Sequence, residues 1–131
     1  MTNGIIVFAH GSRVESANEA VRKVASDLQR RIRRRQVIAA FLELGIPSLE
    51  DAAAQLAGAG VNRIIILPYF LTLGLHMERD LPRIVERISH SYNGLEFLIA
   101  PPLDGHPGLV DILGDRARAM LSLSRHRSRK T

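Results

Sequence analysis

The chain has 131 residues, enough for one domain with a real hydrophobic core, and its 46% apolar and 24% charged content is that of an ordinary globular protein. It has no cysteine, so disulfides, thiolate metal sites and cysteine nucleophiles are excluded, and any metal must be held by histidine, carboxylate or backbone oxygen. The net charge of +5 is placed unevenly, in a cluster at Arg30, Arg31, Arg33, Arg34 and Arg35 and a second at Arg125, His126, Arg127, Arg129 and Lys130. The first reads as a solvated helix end whose cations complement the macrodipole, the second as a frayed polar tail. No apolar run approaches the roughly eighteen residues that span a bilayer. Met1 to Gly4 carries no basic segment leading into an apolar stretch. A cytoplasmic protein without a membrane partner is expected.

Gly4 to Ala9 (GIIVFA) is a β-branched apolar run too short for a helix and reads as a buried strand. His10-Gly11-Ser12-Arg13 interrupts it, and Ser16-Ala17-Asn18-Glu19 matches a capping box. Ala17, Val21, Val24, Leu28 and Ile32 then recur at helical spacing. Val37 to Leu44 is a second strand, and a helix capped at Ser48 runs from there to about Ala57, where glycines stop it. Arg63 to Leu67 (RIIIL) is a third strand, followed by the apolar loop Pro68 to Leu75 and a helix from about His76 to Ser89. Pro82 near its start predicts a short preliminary turn. Glu96 to Ala100 is the fourth strand. The loop Leu103-Asp104-Gly105-His106 leads to a last helix from about Pro107 to Leu121. Four strand–helix alternations predict an α/β fold: a four-stranded parallel sheet with helices on both faces, a flavodoxin-like half. The domain is expected over residues 1–123 and the basic tail over 124–131.

In such a sheet, ligands bind outside the carboxyl ends of the strands. The residues just beyond each strand are therefore informative. His10 comes after the first, Glu43 ends the second, His76 closes the loop after the third with Glu78 and Asp80 beyond it, and Asp104 and His106 come after the fourth. Turns at the opposite edge, around Asn62 and Gly94, offer no such set. A carboxylate in an apolar stretch, as Glu43 is, must be paired or must face a metal or a cavity. His106, in Gly-His-Pro-Gly, fits a turn residue as well as a functional one. Two histidines and a carboxylate suit a borderline divalent ion, and too few ligands for a closed structural site predict a metal held loosely and handed on.

The ordered segments His10-Gly11-Ser12-Arg13 with Asn18, Phe41-Leu42-Glu43-Leu44 with Pro47-Ser48, Leu73-Gly74-Leu75-His76 with Asp80-Leu81-Pro82, and Ala100-Pro101-Pro102-Leu103 with His106-Pro107 carry a resemblance. Over about residues 4 to 121 the chain resembles the small CbiX-type sirohydrochlorin cobaltochelatases. Their relatives are the sirohydrochlorin ferrochelatases and the nickelochelatases. The resemblance implies the class II chelatase fold, metal insertion without ATP or a prosthetic group, and a homodimer that rebuilds the two-half arrangement of longer members. It places His10 and His76 on the family's active-site histidines, as metal-binding and catalytic residues, and Glu43 on the nearby acidic position. The substrates implied are a sirohydrochlorin-type tetrapyrrole and Co²⁺, with Fe²⁺ or Ni²⁺ as alternatives.

Insertion removes two pyrrole protons and exchanges the ion's ligands for ring nitrogens, which a site that bends the ring assists. Neutral His10 and His76 are expected to hold the ion and take the protons, with Glu43 relaying them. Phe70, Leu71, Leu73 and Leu75 are expected to form an apolar bed for the ring, while Ser12 and Arg13 bind its carboxylates. Histidine must be deprotonated to ligate, so activity should fall as pH drops below about 6.5. A carrier of tetrapyrrole or metal would use the same residues without turnover. A phosphatase reading lacks the arginine before His10, where Ala9 stands. Nucleic acid is not expected as a partner; it would require salt-dependent retention lost with residues 125 to 131.

Overall fold

The run beginning at Gly4 becomes the centre of the molecule. In the computed structural model, which describes residues 2–33 and 35–130 and their side chains as far as Leu123, it forms β1 (Asn3–Ala9), buried from Gly4 onward. On one side of β1 lies β2 (Gln36–Phe41), on the other β3 (Arg63–Pro68), and β4 (Glu96–Ile99) sits beyond β3. The order is β2-β1-β3-β4, all parallel. A strand with a neighbour at each edge and helices above and below must be apolar on both faces, which is why β1 shows a continuous run rather than alternation.

Alternate residues of β1 serve different cores. Ile5, Val7 and Ala9 pack with Val37, Ala39 and Phe41 against Val21 and Ala25 of α1 (Glu15–Ile32). Ile6 and Phe8 pack with Ile64 and Ile66 on the other face, against α2 (Leu49–Gly58) and α3 (Gly74–Ser89). Ile6, Phe8, Ile64 and Ile66 are fully buried, each contributing roughly 1.5–3 kcal/mol of transfer free energy. Since α1 returns the chain to β2 on one side of β1, while α2 and α3 lead it the other way, right-handed crossovers place them on opposite faces.

Several local expectations are corrected. The capping box at Ser16 and Glu19 is not formed: α1 begins at Glu15 after Val14, with no side-chain cap, so both residues lie inside the helix. Its buried stripe is Asn18, Val21 and Ala25, whereas Val24 and Ile32 are exposed. β2 ends at Phe41, which puts Glu43 in the bend beyond it. α3 starts earlier than His76, at Gly74, and runs through Pro82 without a preliminary turn. α4 (Gly108–Lys130) does not stop near Leu121 but continues as helix to Lys130. The side chains of the basic tail lie outside those described. Ser48 does cap α2, its hydroxyl accepting from the Asp51 N–H at 3.1 Å.

Candidate active site

The carboxyl edge of the sheet is built differently at its two ends. Backbone pairing between β1 and β2 runs past the strands: the Leu42 N–H donates to the Ala9 carbonyl at 2.9 Å and the Glu43 N–H to the His10 carbonyl at 3.0 Å. His10 and Glu43 are therefore neighbours by the geometry of a strand pair. Their side chains meet, His10 Nε2 lying 3.7 Å from Glu43 Oε1, each more than half exposed. At that exposure the pair contributes little to stability; its interest is chemical.

Gly11 makes the close approach possible. Its φ of +97° is one that side-chain-bearing residues rarely adopt, and a Cβ there would lie 1.7 Å from the Glu43 carbonyl oxygen. Beneath the two segments sits Asn18, the one polar residue buried among those described, at 1% exposure. Its Oδ1 accepts from the Ser12 N–H at 2.9 Å, and its Nδ2 donates to the Ser12 carbonyl at 2.8 Å and the Leu44 carbonyl at 2.9 Å. One amide thus ties the His10 segment to the Glu43 segment, with both its N–H donors and its oxygen engaged. Leu44 holds φ +56°, an uncommon conformation for its type, and its carbonyl is fixed by that bond. Arg22 adds an outer tie: its Nη2 donates to the Ile46 carbonyl at 2.9 Å, its Nη1 to Glu15 at 2.6 Å and to Glu19, and its guanidinium lies over the Phe41 ring. These bonds from Arg22, with a further one from Asn18, hold the Glu15 carboxyl below its ordinary range.

The other end of the edge is looser. Between β3 and α3, Leu71 is 64% and Leu75 79% exposed, and His76 is exposed on the first turn of α3. Leu73 is half-buried, while Phe70 turns inward, its ring 6.1 Å from that of Phe8. Among the expected ring-bed residues, Phe70 thus doubles as core. The next loop is anchored by the Leu103 N–H on the Phe70 carbonyl at 3.3 Å. His106 is occupied locally, its Nδ1 accepting from the Gly108 N–H at 2.8 Å at the start of α4.

Of the expected residues, the structure brings together His10, Glu43 and, through its backbone, Ser12. Arg13 is exposed beside them. Among the described residues no three histidine, aspartate or glutamate side chains stand close enough to hold one ion, so His76 does not join His10 and Glu43 in a cluster. A cavity of about 360 Å³ lies between α2 and α3, lined by Phe8, Phe41, Leu42, Ile84 and Arg87 among others, and includes none of the three. Sequence reasoning undervalues Asn18. The signal for it is an asparagine three residues before Val21 on the buried stripe, where a polar residue needs partners.

The profile of the CbiX family matches residues 4–120. The chain is 31% identical over 120 residues to the chloroplastic sirohydrochlorin ferrochelatase of Arabidopsis thaliana, covering 92% of this chain but 53% of that one. It is 30% identical to the sirohydrochlorin cobaltochelatase of Sulfolobus acidocaldarius, covering 92% of this chain and 94% of the relative. A crystal structure of a cobalamin (vitamin B12) biosynthesis CbiX protein from Marinobacter aquaeolei superposes with a TM-score of 0.80 at 29% identity, covering 92% of this chain and 98% of that one. The chain therefore spans about half of the plant relative and nearly all of the archaeal one.

Proposed function

The chain belongs to the CbiX family, and from that membership we propose that it is a sirohydrochlorin chelatase, a lyase-class enzyme inserting a divalent metal ion into the tetrapyrrole without ATP. Cobalt is the metal we propose, in cobalamin-type biosynthesis, because relatives covered over nearly their full length are cobaltochelatases; Fe²⁺ is the alternative, after the plant relative. The observation that carries the reading is the His10–Glu43 pair at 3.7 Å on the carboxyl edge of the sheet.

The free ring carries two N–H protons, and the metallated ring none, so each turnover releases two protons. Neutral His10 has a nitrogen lone pair that can meet the incoming ion or take one proton, and Glu43 stands within one small adjustment of a hydrogen bond to it. A proton taken by the imidazole is thereby stabilised as a charge-assisted pair and passed to solvent from an exposed carboxylate. His76, on the looser side, is proposed as the second metal-binding and proton-accepting histidine. Leu71, Leu73 and Leu75, with the outer edge of Phe70, bed the ring's apolar face, and Ser12 and Arg13 meet its carboxylates. The working form is proposed to be a homodimer in the cytoplasm. No helix among the described residues is long and apolar enough to cross a membrane.

The test is anaerobic absorbance with sirohydrochlorin and Co²⁺, Fe²⁺ or Ni²⁺ separately, with His10→Ala and His76→Ala alongside. Many turnovers above the spontaneous rate, lost in both variants, are expected, and the fastest metal decides the ion. A change that stops at one ring per site would instead identify a carrier.

A further inference from the structure

Among the described residues outside α4, five large apolar side chains are at least half exposed: Val14, Leu44, Ile46, Leu71 and Leu75. All five stand beyond the carboxyl ends of β1, β2 and β3. Single exposed apolar residues are ordinary, but a set gathered at one edge marks a surface kept for another molecule. Leu71 and Leu75 belong to the loose loop after β3. Val14, Leu44 and Ile46 lie in the loops after β1 and β2, and the ring bed proposed above does not include them.

The backbone that carries these three is closely held. The Val14 N–H donates to Ser12 Oγ at 3.0 Å, and the carbonyls of Leu44 and Ile46 accept from Asn18 and Arg22, each at 2.9 Å. The next carbonyl, that of Pro47, accepts from the Phe41 N–H at 2.9 Å. Between the two exposed residues Gly45 is seated against the core: a Cβ there would lie 2.8 Å from the Phe41 ring and 3.2 Å from Asn18 Nδ2. A segment so fixed, yet showing aliphatic side chains to water, gains little stability from those side chains. It has the properties of a contact surface ordered before its ligand arrives.

β2 and β3 flank β1, so their loops begin about 10 Å apart, twice the strand spacing. A metal ion cannot bridge that gap, whereas a flat macrocycle lying over His10 can. We propose that Val14, Leu44 and Ile46 form a second apolar wall, which grips the rim of the tetrapyrrole on the β2 side while Leu71 and Leu75 meet the opposite rim. Leu44 follows Glu43 directly, so a rim held there is positioned by the same asparagine that ties Glu43 to His10. The fixed wall sets where the ring lies, and the loose one admits and releases it. This inference rests on the chelatase reading and adds to it the residues that position the ring.

The test uses substitutions that keep each backbone preference and remove the apolar surface: Val14→Thr, Leu44→Asn and Ile46→Thr, combined in one protein. Asparagine suits the positive φ of Leu44. Metal-free sirohydrochlorin is titrated anaerobically into the full chain and followed by absorbance. The triple variant should unfold at the parent's temperature and keep its mass by light scattering, while its Kd for the ring rises on the order of tenfold or more. Ile46→Val alone should bind as the parent does. A parent chain that does not bind sirohydrochlorin would overturn the chelatase reading and the wall together. A triple variant that binds as tightly as the parent would leave the chelatase reading and overturn the wall. Weaker binding accompanied by a change in mass would show that these side chains join copies of the chain, and would also overturn it.

Discussion

The two ends of the carboxyl edge hold one histidine each under opposite conditions. His10 stands on an extension of the β1–β2 ladder, over a buried asparagine and beside a glycine that no larger residue can replace. His76 stands on the opening turn of a helix, beyond a loop whose leucines face solvent. The metal-insertion site proposed for this edge would use both. The proton-accepting pair proposed at His10 and Glu43 would gain from fixed geometry, because a misplacement of about 1 Å can cost on the order of a hundredfold in rate. The side proposed to admit a large ring and release it would gain from few contacts, because elements that move are drawn from the least stable parts of a fold.

That contrast is open to attack, most severely at Gly11. Gly11→Ala should force the Glu43 carbonyl away, cost more than about 3 kcal/mol and abolish turnover. Thermal unfolding and metallation assays read both effects, and a near-native Tm would mean that the rigid end yields easily. Asn18→Ala comes next. It strands the Ser12 N–H and two carbonyls, so a loss of about 2–4 kcal/mol and a Tm lower by roughly 10 °C are expected. Turnover should fall more than ring binding does, since the His10–Glu43 geometry is what loosens.

Acid gives a milder probe of the same end. The Glu15 carboxyl is held below its ordinary range by Arg22 first and Asn18 second. Its contribution is therefore fully present above the unfolded carboxylate pKa and lost as pH falls through the lower folded value. The urea midpoint of the parent chain should exceed that of Glu15→Gln at neutral pH, and the gap should close below the ordinary carboxylate range. A gap independent of pH would mean that the Glu15 charge does not stabilise this end. The smallest effect on stability belongs to the loose end: Leu71→Ser with Leu75→Ser should shift unfolding by no more than about 0.5 kcal/mol per site. KM for the ring should nevertheless rise several-fold, and a large stability loss would show that this loop is structural.

Strands and their edge are legible in the sequence because β-branched runs such as Arg63 to Leu67 have only one economical place, the middle of a sheet. The positions of His10, Glu43 and His76 at one edge are a consequence of that. The illegible features depend on distant partners. Ser16 and Glu19 have the spacing of a capping box, yet α1 starts earlier because Asn18 is drawn inward by the Leu44 carbonyl, 26 residues away in sequence. Pro82 carries the signal of a helix start because proline inside a helix forfeits a hydrogen bond, but Leu81, Val85 and Ile88 bury enough apolar surface to carry the helix through it.

The bond at the head of α4 also decides what His106 is able to be. Gly108 N–H can only donate, so Nδ1 of His106 must accept, and the ring proton of the neutral imidazole resides on Nε2. In that tautomer the outward nitrogen has no lone pair to offer a cation. It is a donor, suited to an anionic group at the rim of a bound molecule. Of the three histidines placed beyond strand ends in this chain, one has its Nδ1 lone pair engaged by a single backbone amide.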